Sequence, residues 1–278
     1  MPSRVPESLR FLLLQVRNAD DPMRQHERLA FARTLEIDVE RCEVLDLLTT
    51  RPSPAQLDAS DVVLLGGSGD YSATGEGGWL DRSLDVLRDL VDRRQPTFAS
   101  CWGFQAMARA LGGTVVHDLD TAEVGTHQLY LTEAGVTDPV FSSLHHEFLA
   151  QMGHEDCVSA LPEGATRLAF SHRNAHQAFR LEQAPVYCTQ FHPELSRADL
   201  RQRVEAYPQY IERISGMTTD EFTATLCDTP DAAGLLQRFV ETGRCGLDCL
   251  PCTSPSSPPA GPGCSAVRAC TTTPGPAL

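Results

Sequence analysis

Residues 9–16, Leu-Arg-Phe-Leu-Leu-Leu-Gln-Val, make a nearly continuous apolar run bounded by polar residues. A strand with one wet face alternates apolar and polar residues, so this run has the pattern of a strand buried on both faces of a parallel sheet. Parallel strands need crossover connections, and the next hundred residues supply them. Met23 to Glu36 carries apolar residues at helical intervals, namely Met23, Leu29, Ala30, Phe31 and Leu35. Val39 to Leu47 reads as a second strand and Ala59 to Leu65 as a third, stopping at Gly66-Gly67-Ser68-Gly69. Trp79 to Val91 is helical in its spacing, Pro96 to Ser100 is a short strand, and Gly103 to Leu111 is a helix closed by Gly112-Gly113. The alternation predicts an α/β fold with a doubly wound, mostly parallel sheet and helices on both faces.

From Thr114 to Gln190 the pattern changes to short strand-like segments such as residues 128–131 and 185–190. A helical pattern returns at Arg197 to Ile214. A last helix is expected from Pro230 to Glu241, with Thr229 as N-cap and Gly243 just past its end. Beyond it the composition turns to Pro, Ser, Thr, Gly and Cys, too poor in large apolar side chains to offset the entropy of ordering. The expected organisation is therefore a folded domain over residues 1–242 and a disordered tail over 243–278. Five of the ten cysteines crowd that tail. Its Cys245-x3-Cys249-x2-Cys252 spacing resembles a cluster-binding triplet, but no folded context surrounds it, so low complexity is the better reading and no metal is expected.

The net charge of −14 speaks against nucleic acid or an anionic membrane surface as a partner, because phosphate recognition needs concentrated Lys and Arg. No run approaches the roughly 18–20 apolar residues of a membrane span, and Met1 to Leu9 lacks a basic stretch followed by an apolar one. The expected compartment is the cytoplasm. There, scattered cysteines behave as small buried hydrophobes, and one of them needs another explanation.

Cys101 stands in Phe98-Ala99-Ser100-Cys101-Trp102-Gly103-Phe104-Gln105, at the turn from a strand into a helix. That turn lies at the carboxyl edge of the sheet, where α/β proteins place their sites. The helix N-terminus aims N–H groups and positive dipole at the sulfur, favouring thiolate over thiol. Gln190-Phe191-His192-Pro193-Glu194 puts a histidine and a carboxylate at another strand terminus, since Pro193 stops the strand. A histidine near a thiol serves as general base, and a carboxylate on its other nitrogen fixes the tautomer. Gly66-Gly67-Ser68-Gly69-Asp70 ends a strand on the same edge and exposes backbone N–H groups for an oxyanion. It lacks the Lys-Ser/Thr of a phosphate-binding loop. His145-His146 beside Glu147 reads as solvated surface.

Taken together, these three segments resemble the class I glutamine amidotransferases, specifically the single-domain kind similar to the glutaminase part of GMP synthase. The similarity runs over roughly residues 8–215, with weaker echoes at Glu123-Val124-Gly125 and His154-Glu155-Asp156. The resemblance implies a flavodoxin-like amidotransferase fold and a Cys101–His192–Glu194 triad acting on the side-chain amide of glutamine. It implies an oxyanion hole from the backbone of Gly67 and Trp102, and substrate contacts from Gly66, Ser68, Gln105, His154 and Glu155. No cofactor is implied. Glu155 departs from the family, whose members often show His-Gly-Asp in this loop. No ATP-binding signature follows, so ammonia is expected to pass to a separate synthetase or to be released. Two other functions fit the same residues, a γ-glutamyl peptidase or hydrolase with the same triad and a catalytically silent binding or regulatory module.

Overall fold

The structure, a computed structural model, describes residues 5–247. Its first half alternates as expected: β1 (Phe11–Val16), α1 (Met23–Thr34), β2 (Cys42–Asp46), α2 (Pro54–Asp58), β3 (Val62–Ser68), α3 (Gly78–Asp92), β4 (Thr97–Ser100) and α4 (Trp102–Ala110). The second half opens with β5 (Thr114–His117), β6 (Glu123–Leu131), α5 (Glu133–Thr137), β7 (Glu147–His154), β8 (Asp156–Ala160), β9 (Ala165–Phe170), β10 (Ala178–Leu181) and β11 (Val186–Thr189). Four helices close it, α6 (Arg197–Ala206), α7 (Pro208–Ser215), α8 (Thr219–Thr225) and α9 (Pro230–Leu247).

A nine-stranded sheet in the order β2-β1-β3-β4-β11-β10-β9-β6-β7 forms the centre, and β5 and β8 pair separately. From β2 to β11 the neighbours are parallel; from β11 outward to β7 they are antiparallel. Every residue of β1 is buried, and its two faces feed different cores. Leu12 and Leu14 join α3 and α4 residues such as Leu87 and Met107, whereas Phe11 and Leu13 join Phe31 of α1 and Leu235 and Phe239 of α9. Each fully buried Leu or Phe contributes about 1.5–3 kcal/mol, so the unbroken apolar run is the cause of the two-sided core.

Several elements differ from the sequence reading. The third strand starts at Val62 instead of Ala59, because the preceding residues form α2, stopped at Ala59 and started by a capping box between Ser53 and Gln56. It also runs through Gly66 and Gly67 to Ser68, which pairs with Val16 of β1. Residues Val39–Arg41 make a 3-10 turn before β2. The helical stretch 197–214 is two helices, since Pro208 has no N–H to donate and disfavours helical geometry at Tyr207. The helix α8 had no counterpart in the sequence reading. The last helix continues through Gly243 to Leu247 instead of ending before it; glycine permits a C-cap without enforcing one. The expected disordered tail otherwise lies outside the described residues, as do Cys249, Cys252, Cys264 and Cys270.

The parallel register sets the site. Leu65 pairs with Ala99, and Ser100 pairs with Thr189. Two residues beyond the first pair, Gly67 comes level with Cys101, and the chain leaving β11 reaches His192 on the same carboxyl edge.

Candidate active site

Cys101 occupies the single residue between β4 and α4, with φ 53° and ψ −106°. A non-glycine residue rarely takes this left-handed geometry, and such strain is stored where surrounding structure enforces it. Here the enforcing contacts are visible. The Cys101 N–H donates to the Thr189 carbonyl at 2.8 Å, and Gly103 lets the first turn of α4 lie against the sheet. A Cβ on Gly103 would sit 2.7 Å from Leu65 Cβ and 3.1 Å from Ala99 Cβ. The thiol donates to the Gly153 carbonyl at 3.6 Å.

Gly67 lies directly beside both reactive side chains. A Cβ there would be 3.7 Å from Cys101 Sγ and 3.1 Å from His192 Cε1. Trp102 opens α4, so its N–H has no acceptor within the helix. His192 and Glu194 are both buried, and Nδ1 of the ring meets Glu194 Oε1 at 2.6 Å, leaving Nε2 as the second ring nitrogen. Burial opposes the charged imidazolium, but Glu194 and the facing Cys101 outweigh it and push the His192 pKa up to about 9. Burial likewise works against the Glu194 carboxylate; His192 and then Arg203 overcome it and hold its pKa below the usual range.

Two cavities meet at Cys101. One extends past His192 and is walled by Val124, Leu195, Leu200 and Val204, with Arg17 and Arg203. The other extends past Trp102 and Gln105 to Glu155, Asp156 and Arg213. Ser68, Gly69 and Gly153 border both. A thiol where two cavities meet can attack a carbonyl carbon held in the one past Gln105 and release a leaving group into the one past His192.

The family profile of class-I glutamine amidotransferases matches residues 26–205. The chain belongs to this family. The amidotransferase is 30% identical over 201 residues to a glutamine-hydrolysing GMP synthase of Streptomyces avermitilis, an alignment covering 72% of this chain and 36% of the synthase. To the corresponding synthase of Corynebacterium glutamicum it is 29% identical over 230 residues, covering 80% and 40%. The chain thus spans well under half the length of these curated relatives. Solved glutamine amidotransferases of Thermotoga maritima (TM-score 0.67, 20% identity, 84% of this chain and 97% of that one) and Methylobacillus flagellatus (0.64, 21%, 85% and 96%) share its fold.

The remaining sequence-derived site residues of the amidotransferase are placed as follows. Gln105 is buried and its amide N–H groups donate to the Asp156 carbonyl at 2.8 Å and Gln190 Oε1 at 3.1 Å, so it braces the corner after β7. His154 is buried with both ring nitrogens engaged, Nε2 with Glu123 at 3.2 Å and Nδ1 with the Asp156 carbonyl at 3.0 Å. Glu155 reaches the second cavity and pairs with Arg213 of α7. The Ser68 hydroxyl donates to the Tyr71 carbonyl. Gly66 lines neither cavity; it covers the carboxylate of Glu27. His145 and His146 are exposed, just before β7.

Sequence reading passed over Glu27, Arg17 and Arg203, which form a buried charged cluster behind His192 and Glu194. One pattern would have found Glu27. It follows Met23 by four residues and precedes Ala30 and Phe31 by three and four, a carboxylate on the buried stripe of α1. Among the described residues no helix is long and apolar enough to cross a membrane.

Proposed function

We propose that this amidotransferase hydrolyses the side-chain amide of glutamine, or a closely related γ-glutamyl amide, through a thioester on Cys101. The observation that carries the reading is the meeting of a strained Cys101, a His192 ring backed by Glu194, and the Gly67 backbone within one contact distance of each other. The Cys101 thiolate attacks the amide carbon. The oxyanion forms beside the N–H groups of Gly67 and Trp102. His192 then gives its Nε2 proton to the departing nitrogen, the C–N bond breaks, and ammonia leaves on the His192 side. In the second half His192 accepts a proton from water, which attacks the thioester and frees glutamate and the thiol. Glu194 holds the tautomer and balances the imidazolium throughout. The amino-acid end of the substrate lies in the second cavity, bordered by Ser68, Gln105, His154 and Glu155, with Gly66 shaping the loop beneath.

The ammonia goes to an acceptor site outside the matched region, such as a separate synthetase; the relatives in which this region is matched are GMP synthases. A second reading has one observation in its favour. The cavity on the His192 side is walled by four apolar side chains and offers more room than ammonia needs, as a γ-glutamyl peptide would require.

The test is release of glutamate and ammonia from glutamine by the purified protein beside Cys101→Ala. Release that the substitution abolishes supports the proposal. Release only from γ-glutamyl dipeptides moves the function to the second reading, and no Cys101-dependent release from either overturns both.

A further inference from the structure

The hydrolytic scheme leaves a line of buried charges behind the triad without a role. Glu27, from α1, is fully buried. Its carboxylate accepts from Gln15 Nε2 at 2.8 Å and pairs with Arg17 Nη2 at 3.2 Å. On the other side Arg203 of α6 brings Nη2 to 3.6 Å from Glu27 Oε1 and 3.8 Å from Glu194 Oε1, and Nη1 to 3.4 Å from His192 Nδ1. The second oxygen of Glu194 has no hydrogen-bond partner, so beyond His192 the Arg203 guanidinium is the cation beside this carboxylate. The same Glu27 carboxylate also lies under the oxyanion loop. A Cβ on Gly66 would come within 2.6 Å of its carboxyl carbon.

Stability alone does not explain this arrangement. Buried ion pairs add little net stability over well-packed apolar residues, because desolvation consumes most of the Coulomb gain. Signs nevertheless alternate without interruption along Glu194, Arg203, Glu27, Arg17 and Asp21, ending where the Tyr207 hydroxyl donates to Asp21 at 2.7 Å. One end of the line touches the base, and its middle lies against Gly66, the residue before Gly67.

We propose that Glu27 and Arg203 are positioning residues of the amide-hydrolysing site: Glu27 seats the oxyanion loop through Gly66 and, through Arg203, fixes the orientation of Glu194 and hence of His192. The inference rests on the reading that Cys101, His192 and Glu194 carry the reaction. It joins the two halves of the site, so that loop height and base orientation are set by one carboxylate.

The two residues act on His192 with opposite sign. Arg203 is a cation beside the imidazolium and disfavours it; Glu27 offsets that cation. The other charged groups on this side are Glu194 and Cys101 against the ring, and Arg17 with Asp21 beyond Glu27. On the same α1–α6 seam Asp199 is already paired with His26 at 3.2 Å and with Arg33. Neutralising Glu27 therefore lowers the pH at which the imidazolium loses its proton, and neutralising Arg203 raises it.

The experiment follows the His192 ring proton by NMR against pH in the full chain and in Glu27→Gln, Arg203→Met and Arg203→Lys, together with kcat and KM for amide hydrolysis. The wild-type midpoint is expected at about 9. Expected shifts are about half to one pH unit down in Glu27→Gln and up in Arg203→Met, with Arg203→Lys near wild type. In the first two, kcat falls about 10- to 100-fold while KM stays within about twofold. Shifts of the same sign, or none, overturn the proposal, as does a kcat loss matched by loss of folded protein. Should Arg203→Met not fold, Glu27→Gln and Arg203→Lys carry the test. The NMR midpoints need no substrate, so absence of glutamine hydrolysis would sink the proposed reaction while the shifts still judge the positioning.

Discussion

Among the described residues are two buried histidine–glutamate pairs, His192 with Glu194 and His154 with Glu123, and they differ in what remains of each ring. In both pairs histidine and carboxylate are removed from water and in direct contact. His154 spends its second nitrogen on the Asp156 carbonyl, and Glu123 is saturated further by Ser171, Asn174 and Gln177. That pair is a closed knot tying β6 and β7 to the loop before β10. His192 has only Nδ1 committed to the carboxylate, while the ring faces Cys101 across Gly67. Glu194 in turn keeps one oxygen without a hydrogen-bond partner. Residue type and burial do not separate structure from chemistry here; a second ring nitrogen that meets a thiol instead of a backbone carbonyl does.

The largest effect belongs to the thiol. Cys101→Ala is expected to abolish release of ammonia and glutamate while leaving the fold intact, measured by activity and by circular dichroism. Next come His192→Asn and Glu194→Gln, expected to lower kcat by about 10²–10⁴-fold, the scale on which general acid–base groups contribute. The counterpart changes His154→Asn and Glu123→Gln should do the reverse. Removing one partner from a buried pair costs about 3–5 kcal/mol, read as a lowered denaturation midpoint, with activity per folded molecule within a few-fold of wild type. Should His154→Asn lose activity without losing stability, the two pairs are not distinguished by what the second ring nitrogen meets and the comparison breaks.

The parts of this site that were legible in the sequence are those fixed by the chain's local order. The buried run at β1 encodes an interior strand, the strand-to-helix turn at Cys101 and the Pro193 stop after β11 each encode a position at the sheet's carboxyl edge, and parallel register does the rest. What stayed hidden depends on packing between distant segments. Nothing in the neighbourhood of Glu123 announces that residues 171, 174 and 177 will surround it, and Arg203 lies on a helix whose pattern is mostly polar. The short α2 and α8 escaped for a related reason. One turn or two of helix carries too few residues to show a period, and caps at Ser53 and Thr218 define them instead. Gly66 looked like a substrate-loop glycine, whereas in the structure its missing side chain makes room for Glu27.

The pairs also differ in where pH should undo them. His192 has a folded pKa of about 9, above the ordinary histidine value of 6.5. Its stabilising contribution is complete below 6.5 and is lost as pH rises through about 9. Glu123 runs the other way. Burial opposes its charge, but His154, then Asn174 and Ser171, hold its pKa down to about 2 from 4.5. Its contribution is present above 4.5 and lost as pH falls toward about 2. Stability measured by denaturant titration across pH should therefore show an alkaline slope that Glu194→Gln flattens and an acid slope that Glu123→Gln flattens. If one substitution flattens both, the pairs are energetically coupled and not independent.

The smallest expected effect tests the residue that follows His154. Glu155 and Arg213 together border the acyl-side cavity, so Glu155→Gly removes a charge from the place assigned to the substrate's amino-acid end and leaves the His154 knot untouched. KM for glutamine should rise about three- to tenfold, the loss of one partly exposed charged contact, with kcat and the denaturation midpoint unchanged. A fall in stability instead would mean that the Glu155–Arg213 pair serves to pin α7 over the site, placing Glu155 with the structural pair. A change confined to KM would place it with the chemical one, one residue from the carbonyl that Gln105 holds and one from a histidine whose ring nitrogens are both engaged.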